Sequence, residues 1–140
     1  MTNRLQRYYT WFLAIRPWSF IMTFFCVTTG SLVGSADMAF SWFFYILTLL
    51  GVICLHGAAN FLNDYFDVTN GIDSAAVATA QYRPHPLAEG SLSLTAVRWA
   101  AIALILAALA TGIYLACARG WTVLAIGMAG LLAGLFFTAP

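Results

Sequence analysis

The residues able to do chemistry gather in one stretch, His56-Gly57-Ala58-Ala59-Asn60-Phe61-Leu62-Asn63-Asp64-Tyr65-Phe66-Asp67. His56, Asn60, Asn63 and Asp67 are spaced by four, three and four residues. On an α-helix they share one narrow face, with Asp64 at its flank. Leu55, Leu62, Tyr65 and Phe66 fall on the other side. A polar stripe on the last turns of an apolar helix is costly unless it lines a cavity or binds something. The two carboxylates also sit near the C-terminal end of that helix, where the macrodipole is negative. Each is disfavoured there by roughly 0.3–1 kcal/mol, and they repel one another. A bound cation removes both penalties. Carboxylate and amide oxygens suit Mg²⁺ rather than Zn²⁺, and Mg²⁺ keeps waters and bridges to phosphates. The stripe therefore predicts a Mg²⁺-diphosphate site with Asn63, Asp64 and Asp67 as the metal ligands. The competing reading is a solvated helix end closed by the Asn70-Gly71 turn.

The elements that must position this stripe are membrane helices. Of the 140 residues, 62% are hydrophobic and 8% charged, against about 25% charged in a soluble domain. Six arginines and five acids, with no lysine, cannot cover a water-facing surface, so the lipid bilayer is the expected solvent. A net charge of +1 gives no nucleic-acid footprint. A membrane helix needs about 20 mostly apolar residues, and four stretches fit: 17–34, 40–63, 94–117 and 121–139. Backbone groups in lipid must be paired internally, which favours helices, and no alternating segments suggest a barrel. The expected fold is an all-α, polytopic transmembrane bundle of about four helices in a single membrane domain, 1–140. The first stretch follows Arg4 and Arg7 and ends in Gly34-Ser35-Ala36, the outline of a signal peptide. It is long and aromatic for one, and Pro17 suits the first turn of a helix.

Arg4, Arg7 and Arg16 precede the first span, and Arg83 and Arg98 lie in or beside the loop after the second. Only Arg119, in the tight Ala118-Arg119-Gly120 connection, falls on the other side. This asymmetry places the N-terminus and the loop 64–93 in the cytoplasm of a cell whose inner membrane holds the protein. That loop carries four of the five acids, and a connection of this length in a compact chain is usually functional or disordered. Its alanine-rich part, Ser74 to Gln81, is compatible with a short surface helix. Cys26, Cys54 and Cys117 stand singly in apolar stretches and read as packing residues.

The motifs carry a resemblance. Asn63-Asp64-Tyr65-Phe66-Asp67, followed by Gly71-Ile72-Asp73, resembles the first aspartate-rich motif of the UbiA superfamily of membrane-embedded prenyltransferases. Arg83-Pro84-His85-Pro86 with Gly90-Ser91-Leu92-Ser93 is similar to the family's Arg-Pro-x-Pro…Gly-x-Leu-Ser segment. Arg16-Pro17-Trp18-Ser19-Phe20 resembles its opening of the first span, and Phe136-Phe137-Thr138-Ala139-Pro140 its aromatic-Thr-x-Pro close of the fourth. The four matches come in the family's order and span the chain.

The resemblance implies transfer of a polyprenyl group from its diphosphate to an aromatic or lipid acceptor in quinone or lipid biosynthesis. Mg²⁺ there bridges the diphosphate to two aspartate-rich motifs, and ionisation yields an allylic cation that the acceptor attacks. By carry-over, Asn63 and Asp67 are the leading catalytic and metal-binding residues, with Asp64 beside them. Arg83, Arg16, Asn60 and Asp73 are expected to serve the diphosphate, guanidinium groups being suited to such anions.

Two departures sharpen this. The position four residues after Asp67 is Gly71, and the acid comes two later as Asp73; this is closer to the dihydroxynaphthoate-prenylating branch. No Asp or Glu follows Glu89, whereas the family has about nine helices and a second acidic motif. The chain is thus expected to be the N-terminal half of such a fold, its partner being the missing C-terminal half, and to be inactive alone. A different class, a small transporter or channel subunit with the polar stripe as a cation path, remains the alternative. The tryptophans 11, 18, 42, 99 and 121 lie near span ends and read as an interfacial belt. Gly127, Gly130 and Gly134 suit close helix packing. His56 reads as a packed histidine and His85 as a loop residue.

Overall fold

The computed structural model describes residues 2–36, 39–73 and 85–138. Arg83 and the Ser74–Gln81 stretch lie outside the described residues. Among those described there are five α-helices and no strand. They are α1 (Thr2–Ile15), α2 (Phe20–Gly34), α3 (Trp42–Thr69), α4 (Leu94–Arg119) and α5 (Trp121–Thr138), with one 3₁₀ turn, Pro17–Ser19, between the first two.

Each boundary has a local cause. Pro17 disfavours helical backbone at the residue before it, and Arg16 turns into the left-handed region at φ 56, ψ 59. Its carbonyl then accepts from the Ser19 amide at 3.0 Å and the Ser19 hydroxyl at 2.8 Å, which starts the chain in a new direction. Ser93 caps α4, its Oγ accepting from the Ala96 amide at 3.2 Å. Gly120, at φ 104, ends α4 and leads directly into α5, a backbone setting that glycine adopts without penalty.

Two expectations change. The first residues, read only as a charged flank, form the helix α1. The second span does not stop at 63: α3 runs on to Thr69, because no breaker interrupts the chain before Asn70-Gly71. Gly71 takes φ 72, and the amides of Ile72 and Asp73 fold back on the Asp67 carbonyl at 2.8 and 3.0 Å. At 1.5 Å per residue α3 is about 42 Å long, more than the roughly 30 Å of a hydrocarbon core. The helix is thus longer than such a slab is thick, and Asp64 and Asp67 lie in its last two turns.

Three helical stretches are long and apolar enough to cross a membrane: Pro17–Gly34, Trp42–Thr69 and Leu94–Arg119. Trp121–Phe136 is equally apolar in character but shorter. Large apolar side chains such as Phe25, Val33, Trp42, Leu106 and Ile126 face outward, as a lipid-solvated bundle requires. Packing is densest between α3 and α4, with α2 laid on α3, α5 on both, and α1 on α3. Small residues permit the closest approaches. A Cβ on Gly51 would lie 2.8 Å from Thr111 Cγ2 across the α3–α4 seam, and one on Gly57 would lie 3.2 Å from Ile15. The buried core, Ala14, Phe61, Leu87, Val97 and Ala101, sits at the acidic end of the bundle. Trp11 meets Phe61 there edge-to-face with centroids 5.7 Å apart.

Candidate active site

The stripe predicted on α3 exists, and its members have different occupations. Deepest is His56, whose Nδ1 lies 2.7 Å from Thr23 Oγ1 on α2 and whose ring meets Phe20 edge-to-face at 5.3 Å. One turn on, Asn60 Nδ2 donates to the Ile15 carbonyl at 2.9 Å and to Ser19 Oγ at 3.1 Å. It thereby satisfies a terminal carbonyl of α1 that has no partner inside its own helix. Asn60 holds the α1–α2 joint against α3.

Another turn brings Asn63 and Asp67, both half-buried. Asn63 Nδ2 donates to Asp67 Oδ2 at 2.6 Å. This bond orients the two side chains toward each other one turn apart and leaves Asn63 Oδ1 and the second Asp67 oxygen as acceptors on the same helix face.

Asp64 is only 4% exposed. It forms an ion pair with the Arg16 guanidinium, which reaches across from the α1–α2 joint. His85 Nε2 lies 3.4 Å from the same carboxylate oxygen and 3.1 Å from Asp73 Oδ2. Asp73 is 8% and His85 1% exposed. Desolvating a carboxylate is costly unless it is paired and hydrogen-bonded; Asp64 meets that condition through Arg16, and Asp73 lies beside the His85 ring. Left-handed backbone at a non-glycine residue costs roughly 1–2 kcal/mol. Arg16 accepts that conformation at the position that places its guanidinium on Asp64.

The site therefore has two layers. An inner layer gathers the buried Asp64, Asp73 and His85 around the partly exposed Arg16. An outer layer, Asn63 and Asp67, presents oxygens at the end of the apolar helix. Among the described residues no group of three or more His, Cys, Asp or Glu side chains is arranged to hold a metal ion. An amide oxygen and one carboxylate are nevertheless a donor set that Mg²⁺ accepts, since it takes one or two carboxylates and completes its shell with waters and phosphate.

A cavity of about 210 Å³ opens between α3, α4 and α5, lined by Gly51, Leu55, Ile105, Leu115, Gly127 and Leu131. Its walls are suited to hydrocarbon.

Sequence reasoning missed His85, treated as a loop residue; it is the most deeply buried polar side chain described. The signal that could have found it is its position between Pro84 and Pro86, which stiffen a histidine in a loop otherwise rich in acids. Thr23, which holds His56, carried no sequence signal, since a lone Thr in an apolar helix is unremarkable in pattern.

The chain was compared with known proteins. A 34% identical match of 77 residues, 51% of this chain and 21% of the relative, links it to the UbiA prenyltransferase domain-containing protein 1 of Xenopus tropicalis. The protein of the same name from Danio rerio is 38% identical over 66 residues, 44% of this chain and 18% of its own length. The chain thus matches about a fifth of the length of these relatives. No solved structure matches significantly. The model of the UbiA prenyltransferase family matches residues 11–140, from the first tryptophan of α1 through the stripe to the last residue. This chain belongs to the UbiA prenyltransferase family, as the order of its motifs predicts.

Proposed function

We propose that the chain supplies the diphosphate-binding end of a membrane prenyltransferase, with Asn63 and Asp67 as the Mg²⁺ ligands. The observation that carries this is the division of the acids. Asp64 and Asp73 are buried against Arg16 and His85, while the Asn63–Asp67 pair sits half-buried with oxygens to offer. In this reading the substrate is a polyprenyl diphosphate whose hydrocarbon lies in the bilayer-facing half of the bundle. The prenyl group passes to an aromatic or lipid acceptor, in quinone or lipid biosynthesis. The departure at Gly71 favours an acceptor of the dihydroxynaphthoate type.

Bound at this pair, Mg²⁺ supplies charge neutralisation for the departing diphosphate. The chain's own residues do the rest of the positioning. Asn63 donates to Asp67 and so keeps both side chains on one face. Asp64 holds Arg16, and Asn60 pins the joint that carries it. Arg83, outside the described residues, is the arginine left to meet diphosphate oxygens, by its place in the motif. The arginine asymmetry puts the N-terminus and the polar end of α3 on the cytoplasmic side of the inner membrane, where a water-soluble diphosphate head can reach them.

The test is binding. Nanodiscs holding the chain should retain a labelled prenyl diphosphate in Mg²⁺ and release it on chelation, and Asp67→Ala should abolish the Mg²⁺-dependent part. Retention that ignores both chelation and the substitution would overturn the reading.

A further inference from the structure

A second cavity lies between α1 and α4. It is a groove of about 440 Å³, walled by Trp11, Phe12 and Ile15 on one side and by Ala103 and Leu104 on the other, with Phe61 of α3 also in its lining. Its size falls within the roughly 300–1,000 Å³ of pockets that hold small ligands. Every side chain in it is apolar or aromatic. Small side chains on α4 leave the space, and Phe12 and Ala103 are exposed, so the groove opens to the surroundings of the bundle. Such walls favour hydrocarbon over water.

The helix that forms one wall carries a charge pattern. Arg4, Arg7, Trp11 and Ile15 are spaced by three, four and four residues, which puts them on one face of α1. The arginines stand about 6 and 10 Å along the axis from Trp11, at 1.5 Å per residue. Two cations thus head the same face whose apolar end lines the groove. Both are exposed, and α1 holds no acid to pair with them. Leu5, Tyr8, Tyr9 and Phe12, 54–74% exposed, occupy the adjoining face at i, i+3, i+4 and i+7. Arginines beside an exposed aromatic and aliphatic face mark a helix that lies in the headgroup layer of a membrane.

We propose that this groove is a binding site for an anionic phospholipid. One acyl chain lies between α1 and α4, and Arg4 and Arg7 meet the phosphate, which guanidinium groups suit. The apolar walls alone would take any lipid; the two unmatched charges select an anionic one. The seated lipid braces α1 next to its joint. Ile15 lines the groove with its side chain and gives its carbonyl to Asn60, and Phe61 follows Asn60 directly. The site is separate from the Asn63–Asp67 pair and needs neither Mg²⁺ nor a prenyl diphosphate.

Native mass spectrometry of the full chain, offered phosphatidylglycerol and phosphatidylcholine with the same acyl chains, tests this. The parent should hold phosphatidylglycerol roughly thirtyfold more tightly, about fivefold for each arginine. Arg4→Gln with Arg7→Gln should bring the two lipids level, and these exposed positions leave the packing alone. Ala103→Phe fills the groove from an exposed position. With helix content unchanged by circular dichroism, it should weaken phosphatidylglycerol about tenfold, the worth of roughly two buried methylene groups. Asp67→Ala and chelation of Mg²⁺ should change neither lipid, and glycerol phosphate, a headgroup without chains, should not compete. Equal retention of the two lipids by the parent, or a preference that survives the arginine substitutions, would overturn the proposal. A preference untouched by Ala103→Phe would overturn the groove as the seat of the chain. A dimer that is lost in Ala103→Phe, with no lipid bound, would assign the groove to a second copy. Displacement of phosphatidylglycerol by an equimolar prenyl diphosphate would assign it to that substrate. Either result would overturn the phospholipid site.

Discussion

Replacing Asp64 by Asn keeps the shape of the side chain and removes its charge. The carboxylate is 4% exposed and is matched by Arg16, whose side chain is 17% exposed. Removing one partner of a buried pair costs roughly 3–5 kcal/mol, because the other charge stays buried without compensation. Arg16 keeps some access to water, which lowers the expected loss to about 2–3 kcal/mol. A double-mutant cycle makes the point quantitative. Asp64→Asn with Arg16→Met should cost little more than either alone, giving a coupling of about 2 kcal/mol. Thermal unfolding in detergent can be followed through tryptophan fluorescence, since Trp11 packs on Phe61 in the core that this pair closes. Asp64→Asn within about 0.5 kcal/mol of the parent, or additivity of the two changes, would refute the view that this acid is structural.

Two further outcomes follow from local geometry. Arg16 sits at φ 56, so Arg16→Gly should be less destabilising than Arg16→Ala by about 1 kcal/mol although both lose the ion pair; equal unfolding temperatures would argue against a left-handed joint. Gly51→Ala places a methyl 2.8 Å from Thr111 Cγ2, and the Thr111 rotamer is pinned by its 2.9 Å bond to the Ala107 carbonyl. The substitution should cost about 1–3 kcal/mol of overpacking, and Thr111→Ser, which deletes that methyl, should restore most of it in the same unfolding assay.

Much of this was legible in the sequence because it is local. The four-three-four spacing of His56, Asn60, Asn63 and Asp67 needs only helical periodicity, and the outward apolar surface follows from a chain with almost no charge. Asn70-Gly71 marks the true end of α3, whereas polarity alone puts the boundary at 63. Acids in the last turns of a long helix look the same in sequence as acids on a loop. The division of labour among the acids was not legible. Asp64 meets Arg16 from 48 residues away, and His85 comes within 3.4 Å of Asp64 and 3.1 Å of Asp73 from a turn whose Leu87 lies in the core. Such pairings depend on tertiary packing that periodicity does not encode. The same applies to Asn60, whose spacing makes it a ligand candidate while its amide serves the backbone of Ile15.

The central claim is that Asn63 and Asp67 carry the metal that meets the diphosphate. Electron paramagnetic resonance with Mn²⁺ in place of Mg²⁺, on the chain in nanodiscs with a prenyl thiodiphosphate, reads it directly through the coupling between the metal and phosphorus. The account predicts a Mn²⁺–³¹P coupling in the parent and in Asp73→Asn, and its loss in Asp67→Ala. A coupling that persists at the same Mn²⁺ affinity in Asp67→Ala would contradict it.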